Sequence, residues 1–600
     1  MKTTLICPTS LARGLAVAVG FTVAHAAFAA PAARPNIIII LADDMGYSDL
    51  GCFGGEIATP HLDALAKPGL RFTQFYNTAR CCPTRASLLT GLYPHQAGVG
   101  HMVEDRGSEA YRGDLNRRSV TLAEAVKPAG YRTYMTGKWH VTPGKTAEAM
   151  AQKQNWPLQR GFDRYYGTIN GSGSFWDPHG LVSDNREITI ANDPNYRPAE
   201  YYYTDAISDH ATRFIRDHAR DHGGKPFLMY VAYTAAHWPM HARESDIAKY
   251  RGRYNAGYGP VAAARWARQQ QLGVVKAGWG LAPPAEDWAK VENREFEARC
   301  MEVYAAMVTV MDEGIGRIVA ELKSNGQLDN TLVCFLHDNG GCAETNGRIG
   351  AFRPRAERPA IAPLEPNVAH YGNLPTHTRE GWPLRQGYGV MPGPADSWVA
   401  YGRGWANVSN TPFREYKHWV HEGGISTPFI AHWPAAMKTD GRKDGERGRI
   451  TAEPSHLIDL MATCVDLAGA RYPTEFNGEK IQPMEGRSLK PLFVSPSPTP
   501  SFAPAVRPLY WEHEGNRAIR LGQWKLVSMH PGGWELYDLE ADRAEQRSLA
   551  TQQPERVKTM AAQWEAWAKR IGVRPWTEIQ AAAPKSAITN VRAKIATGAK

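Results

Sequence analysis

The run Ile37-Ile38-Ile39-Ile40-Leu41-Ala42 limits the fold more than any other stretch of the chain. It enters through Pro35-Asn36 and leaves through Asp43-Asp44-Met45-Gly46. A continuous β-branched run of this length fits a central parallel strand covered on both faces. Two acids at its carboxyl end do nothing for a core, and in open α/β sheets that edge is where ligands bind. An N-cap or a solvated loop accounts for such acids equally well when they stand alone. They do not stand alone. Leu70–Tyr76 leads to Cys81, and Tyr131–Thr136 ends in Gly137-Lys138-Trp139-His140. Pro226–Tyr233 runs out into His237, and Thr331–Leu336 ends in His337-Asp338-Asn339. The expectation is an α/β fold with a large, mostly parallel sheet flanked by helices and chemistry at one edge.

Six hundred residues, 43% of them hydrophobic, suffice for a large core and two domains. Lys2 and Arg13, the apolar run Leu15–Phe28 and Ala27-Phe28-Ala29 read as a signal peptide over residues 1–29. Export to the periplasm or medium follows from that reading. No later run is long and apolar enough for a membrane span. The formal charge of +9 falls to +7 without the signal, and +4 of that lies in Gln580–Lys600. The body is only mildly basic, which suits an anionic substrate and gives no indication of nucleic acid. Cys52, Cys82, Cys300, Cys334, Cys342 and Cys464 are available for pairing in an exported chain.

Cys81-Cys82-Pro83-Thr84-Arg85 is followed by a small apolar run ending in Thr90-Gly91. A sulfur side chain at a helix start, with a guanidinium one turn on, sits in a field suited to an anion. The stretch is similar to the C-x-P-[ST]-R-x-x-x-x-T-G signature of the type I sulfatases, an alkaline phosphatase-like family. Gly137-Lys138-Trp139-His140, His237 before Pro239, Asp338-Asn339, and Lys417 upstream of Glu422-Gly423-Gly424 through Pro428 agree with it. The chain resembles bacterial arylsulfatases most closely over Asp43–Met102 and Lys417–Pro428.

The resemblance implies that Cys81 is oxidised to formylglycine by a maturation enzyme. It implies calcium, then magnesium, on Asp43, Asp44, Asp338 and Asn339, with the modified Cys81 as a further ligand. That set is all hard oxygen, which fits the implied ion better than zinc. Arg85, Lys138 and Lys417 would hold the sulfate. His237, with Lys417, would protonate the leaving group of an aryl or carbohydrate sulfate. His140 would take the proton whose loss expels sulfate.

Arg243–Glu292 reads as an irregular insertion with short helices, and Gly347–Asn410 as a long rim segment expected to govern selectivity. Asn293–Asn325 is the strongest amphipathic helix. His95 and His101 read as structural, His241 as an outer or surface group, and His513, Glu514 and Asn516 as a surface turn, with a turn facing the active site as the alternative. The expected division is 34–494 catalytic domain, 495–506 linker, 507–575 α+β subdomain and 576–600 basic, flexible tail. Two other functions fit parts of this pattern: a phosphonate monoester or phosphodiester hydrolase of the same superfamily, and a non-catalytic binder of sulfated glycans.

Overall fold

The computed structural model describes residues 1–5, 34–372, 374–437, 448–494 and 506–582. The expected signal peptide beyond residue 5, the linker through 505 and the tail beyond 582 lie outside the described residues. The body is built on one sheet of eleven strands. These are β1 (Asn36–Ala42), β2 (Leu70–Tyr76), β3 (Arg132–Gly137), β4 (Arg164–Thr168), β5 (Leu181–Ser183) and β6 (Arg186–Glu187). They continue with β7 (Phe227–Ala232), β8 (Thr331–His337), β9 (Ser426–His432), β10 (Arg449–Thr451) and β11 (Ser455–His456). The order is β10-β2-β9-β8-β1-β7-β3-β4-β5-β6, with β11 also on β2.

β1 lies at the centre, parallel to β7 and β8, and β7 is parallel to β3. Ile38 and Ile40 pack into the core on one face, and Ile37, Ile39 and Leu41 into the core on the other. Each such side chain contributes about 1.5–3 kcal/mol of burial. This is why the run is unbroken rather than alternating. Parallel pairing brings the carboxyl ends of β1, β3, β7 and β8 to one edge. β9 is antiparallel to both β8 and β2, so the segment before it reaches the same edge.

Helix α1 (Cys81–Thr90) begins at the cysteine itself and is buried throughout. Gly91, at φ 68°, ends it, and a Cβ there would lie 2.4 Å from Met461. Thr84 keeps the hydroxyl of the commoner serine in use. Its Oγ accepts from the Thr78 amide at 3.0 Å and meets the Thr78 hydroxyl at 2.9 Å. Helix α2 (Tyr203–His222) packs with a 31-residue helix, which is capped by the Asn293 side chain and buries one long face.

The expected irregular insertion is corrected by a 15-residue helix, Tyr258–Leu272. Its buried Arg265 pairs with Asp49 at 2.6 Å and Glu56 at 2.7 Å. A helix of small and polar residues that buries a guanidinium leaves no apolar stripe to read. Residues 508–538 form a four-stranded antiparallel sheet. Its Leu509, Trp511, Ala518 and Val527 pack with Tyr76, Ala79, Val420 and Ile425. Beyond the helix Pro554–Ile571, the tail expected from residue 576 is corrected for its first residues: Trp576–Ala581 is helical, and Ile579 is buried with Ala110 and Tyr111. All seven described cysteines are free.

Candidate active site

The sheet edge gathers the side chains that the strand ends deliver. Asp43 and Asp44 follow β1, and Asp338 and Asn339 follow β8; Ala42 and His337 are in register, which sets the two pairs side by side. Gly137 closes β3 at φ 96°, where a Cβ would lie 1.9 Å from the Ala232 carbonyl oxygen. Only glycine permits that approach, and it lets the Lys138 amide bond Ala232 at 2.8 Å. Asp44 and His140 both adopt positive φ, 56° and 54°. Such strain costs of order 1–3 kcal/mol per residue and persists where surrounding contacts hold it.

Asp43, Asp44, Arg85, Lys138, Asp338 and Asn339 are at most 1% exposed. Arg85 Nη2 donates to Asp338 Oδ2 at 2.8 Å and to Asp43 Oδ2 at 3.1 Å. Lys138 Nζ also meets Asp43 Oδ2. Lys417 Nζ lies 2.8 Å from Asp44 Oδ1, and Asn339 Nδ2 donates to that oxygen at 2.7 Å. Burial lifts the Asp43 carboxyl, but Lys138, His237 and Arg85 outweigh it and hold the group below its ordinary value. Asp338 goes the other way: burial and the charge on Asp43 push it well up. Burial works against the charge on Lys417, yet Asp44 holds it protonated.

Two acceptors in this cluster, Asp43 Oδ1 and Asn339 Oδ1, are buried without a hydrogen-bond partner. Orphaned buried oxygens are costly and point to a missing partner. Beside a carboxylate whose ionised form is disfavoured, they fit a hard divalent cation bound by oxygen.

Cys81, at the first turn of α1, is 2% exposed. The neighbouring Cys82 thiol, with Lys138 and His140, holds its thiol well below the ordinary value against burial. His140 Nε2 stands 3.2 Å from Cys82 Sγ. Burial lowers His140 to about 4, so it is neutral near pH 7 and able to accept a proton. His237 Nδ1 donates to the Trp238 carbonyl at 2.6 Å, leaving Nε2 as the nitrogen 3.5 Å from Asp44 Oδ2. Burial lowers His237 too. Cys81, Cys82 and His140 form one close group of potential ligands, and Asp43, Asp44 and His237 another.

Two members of the site carry no signal in the sequence. Arg80 Nη1 pairs with Glu344 Oε1 at 2.7 Å, and Glu344 also lies 3.8 Å from Lys417 and accepts from the Trp238 indole at 2.8 Å. Lys417 and Arg80 overcome burial and hold the Glu344 carboxyl low. The surface reading of His513 and Asn516 is corrected: both are buried, and Glu514 bridges His101 at 2.6 Å and His418 at 3.1 Å. His241 is buried as well, with Nε2 2.7 Å from the Ser397 carbonyl oxygen. His95 pairs with Glu512 at 2.7 Å, a contact within the packing of the C-terminal sheet.

The Sulfatase family model matches residues 35–470, and the model for the C-terminal part of N-sulphoglucosamine sulphohydrolase matches 415–569. The chain is similar to an arylsulfatase of Klebsiella aerogenes, 33% identical over 80% of this chain and 96% of the relative. An uncharacterised sulfatase of Schizosaccharomyces pombe is 31% identical over 90% and 94%. Among solved structures, Ps i-CgsB superposes with a TM-score of 0.59 at 25% identity, over 89% of this chain and 93% of that one.

Proposed function

This chain belongs to the sulfatase family and is a sulfuric ester hydrolase, and we propose that it works as an exported, arylsulfatase-type enzyme through formylglycine made from Cys81. The observation that carries this reading is the Arg85–Asp43–Lys138 cluster, which lies with two orphaned oxygens beside a buried cysteine at a helix start.

Asp43, Asp44, Asp338 and Asn339 would hold calcium through carboxylate and amide oxygens, with the converted side chain at position 81 completing the set. Bound there, calcium supplies charge that orients the sulfate oxygens and favours the nucleophilic oxygen. The aldehyde hydrate supplies that oxygen and a second hydroxyl. Arg85 and Lys138, both buried and both paired with Asp43, face the developing negative charge, where a fixed donor counts for more than in water. Lys417 is the resting holder of the proton for the departing oxygen, and His237 Nε2 lies 3.5 Å from Asp44 Oδ2, an oxygen that Lys417 also reaches at 3.0 Å. His140, neutral near pH 7, takes the proton of the second hydroxyl.

The competing reading is phosphonate or phosphodiester hydrolysis at the same groups. Comparing kcat/KM on 4-nitrophenyl sulfate and on a 4-nitrophenyl phosphonate monoester separates the two. A preference for the sulfate is expected, and a preference for the phosphonate would reassign the activity.

A further inference from the structure

A cavity of about 250 Å³ lies between the loop at Ser174–His179 and the rim segment around His370–Trp398. Ser174, on its wall, ties it to both histidine loops. A Cβ at Gly171 would lie 1.9 Å from His140 Cε1. Ser174 lines the cavity three residues later, within about 11 Å even for fully extended chain. Ser174 Oγ is also 3.5 Å from Nδ1 of His241, four residues past His237. The volume falls below the roughly 300–1,000 Å³ of clefts that take drug-sized ligands, so it has room for about one ring.

The polar groups of the cavity ask for donors. His179 Nδ1 sits 3.0 Å from the Gly372 carbonyl, to which it must donate. Burial lowers this imidazole to about 3, so Nε2 carries a lone pair. That nitrogen is buried and has no partner. Asp177 Oδ2 accepts from Arg379 Nε at 3.0 Å, and the same guanidinium donates to the Glu365 and Val368 carbonyls. Each of the three guanidinium nitrogens of Arg379 thus has one acceptor, and the Glu200 carboxylate is paired with Arg243 at 2.9 Å. His370, lowered by burial to about 4, is neutral. Two indoles complete the walls: Trp398, stacked on His179 at 5.9 Å and 13°, and Trp176, whose Nε1 donates to the Gly393 carbonyl at 3.3 Å.

We infer that this cavity binds a hydroxyl-bearing sugar ring of the alcohol part of the substrate that carries no sulfate besides the reacting one, with His179 Nε2 accepting from one of its hydroxyls. Aromatic faces suit the apolar side of a pyranose, and a lone pair beside a carboxylate suits an O–H donor. A second sulfate offers only acceptors, and among the described residues lining the cavity the one guanidinium, Arg379, is outnumbered by the carboxylates of Asp177, Glu200 and Glu380. The inference rests on the sulfuric ester hydrolase reading of the same edge. It narrows the substrate to carbohydrate esters whose sulfate at the reacting position is not joined by another on the ring in the cavity.

The test uses purified, maturation-competent full-length protein. Substrates are 4-nitrophenyl sulfate, galactose 6-sulfate, N-acetylglucosamine 6-sulfate and glucosamine 2-N,6-O-disulfate. At least one sugar monosulfate is expected to be turned over, with kcat/KM about tenfold or more above the disulfate, the scale of one unmet buried polar group. His179→Phe is expected to raise KM for that sugar sulfate about tenfold, with kcat changing less, and His179→Gln, which restores an acceptor, to recover part of it. Wild-type kinetics alone decide the matter should His179→Phe fail to fold. Turnover of 4-nitrophenyl sulfate without either monosulfate, or a preference for the disulfate, overturns the inference while the sulfatase reading stands. No turnover of any sulfate ester overturns both.

Discussion

Asp338→Asn isolates the ion from the rest of the edge. In the protein without an added cation, the ionised Asp338 is disfavoured by burial and by Asp43, and its oxygens accept from Arg85 at 2.8 Å and from the Asp44 amide at 3.3 Å. The substitution removes the disfavoured charge. It also turns one acceptor into a donor among donors, at about 1–3 kcal/mol. The sign of the first effect is fixed: a carboxyl raised in the fold costs stability above its ordinary value, and asparagine removes that cost. The two effects oppose each other, so the stability of the chelated protein is expected to change little.

With calcium the balance differs. Partners outside a metal's direct ligands cost about 10–100-fold in affinity when lost, and a direct carboxylate costs at least the upper figure. At calcium fixed at about 1,000 times the parent's Kd, binding stabilises the parent by about 4.1 kcal/mol. A variant weakened about 100-fold gains about 1.4 kcal/mol under the same condition. The assay is urea unfolding of both proteins in chelator and in calcium. The calcium-dependent gain should shrink by about 2.7 kcal/mol. An equal gain in parent and variant would show that Asp338 holds no ion, and the ligand assignment would fail with it.

Further outcomes follow from the same geometry. His140→Ala should release about one equivalent of 4-nitrophenol per site in a burst and then slow about 10²–10⁴-fold, the range for a lost general base; a uniformly slow trace without a burst would place His140 elsewhere in the reaction. Lys525 is fully buried between Glu422 at 3.0 Å and Glu545 at 2.8 Å, so Lys525→Met should lower stability by about 3–5 kcal/mol in urea melts, with little change in kcat of the folded protein. His337 and His456 are lowered by burial to about 3, and His241 to about 4, from 6.5. The fold binds fewer protons than the unfolded chain there, so stability should be complete above pH 6.5 and fall as pH drops toward 4. Each of the three accounts for about 1.4 kcal/mol by pH 5.5, and a flat unfolding midpoint across that window would contradict the burial of these rings as neutral groups.

The parts of the site legible in the sequence are those that a buried strand delivers. Ile37–Ala42 and Thr331–Leu336 mark themselves by apolar continuity, and the acids after them stand out because they end it. Lys138 and His140 are visible for the same reason. Arg80 and Glu344 are not: each sits in a loop without period, and only the fold brings them to 2.7 Å. In the sequence the Glu514 cluster reads as surface because a hairpin turn with Gly515 usually is one. Packing of that hairpin against the segment after Lys417 buries His513 instead. Arg265 shows the same limit, since its partner Asp49 lies 216 residues away. The length of the Gly347–Asn410 segment points to selectivity, and the cavity with its orphaned imidazole gives that expectation a chemical form.

The central claim is that position 81 carries an aldehyde rather than a thiol. The direct measurement is the mass of the tryptic peptide Cys81–Arg85 from protein purified from its own producing cell. Conversion of the side chain from thiol to aldehyde lowers the mass by about 18 Da, a covalent change that the fold does not affect. The account predicts the lighter peptide, together with its hydrazide adduct after labelling. An unmodified thiol at position 81 in enzyme that still hydrolyses sulfate esters would contradict it.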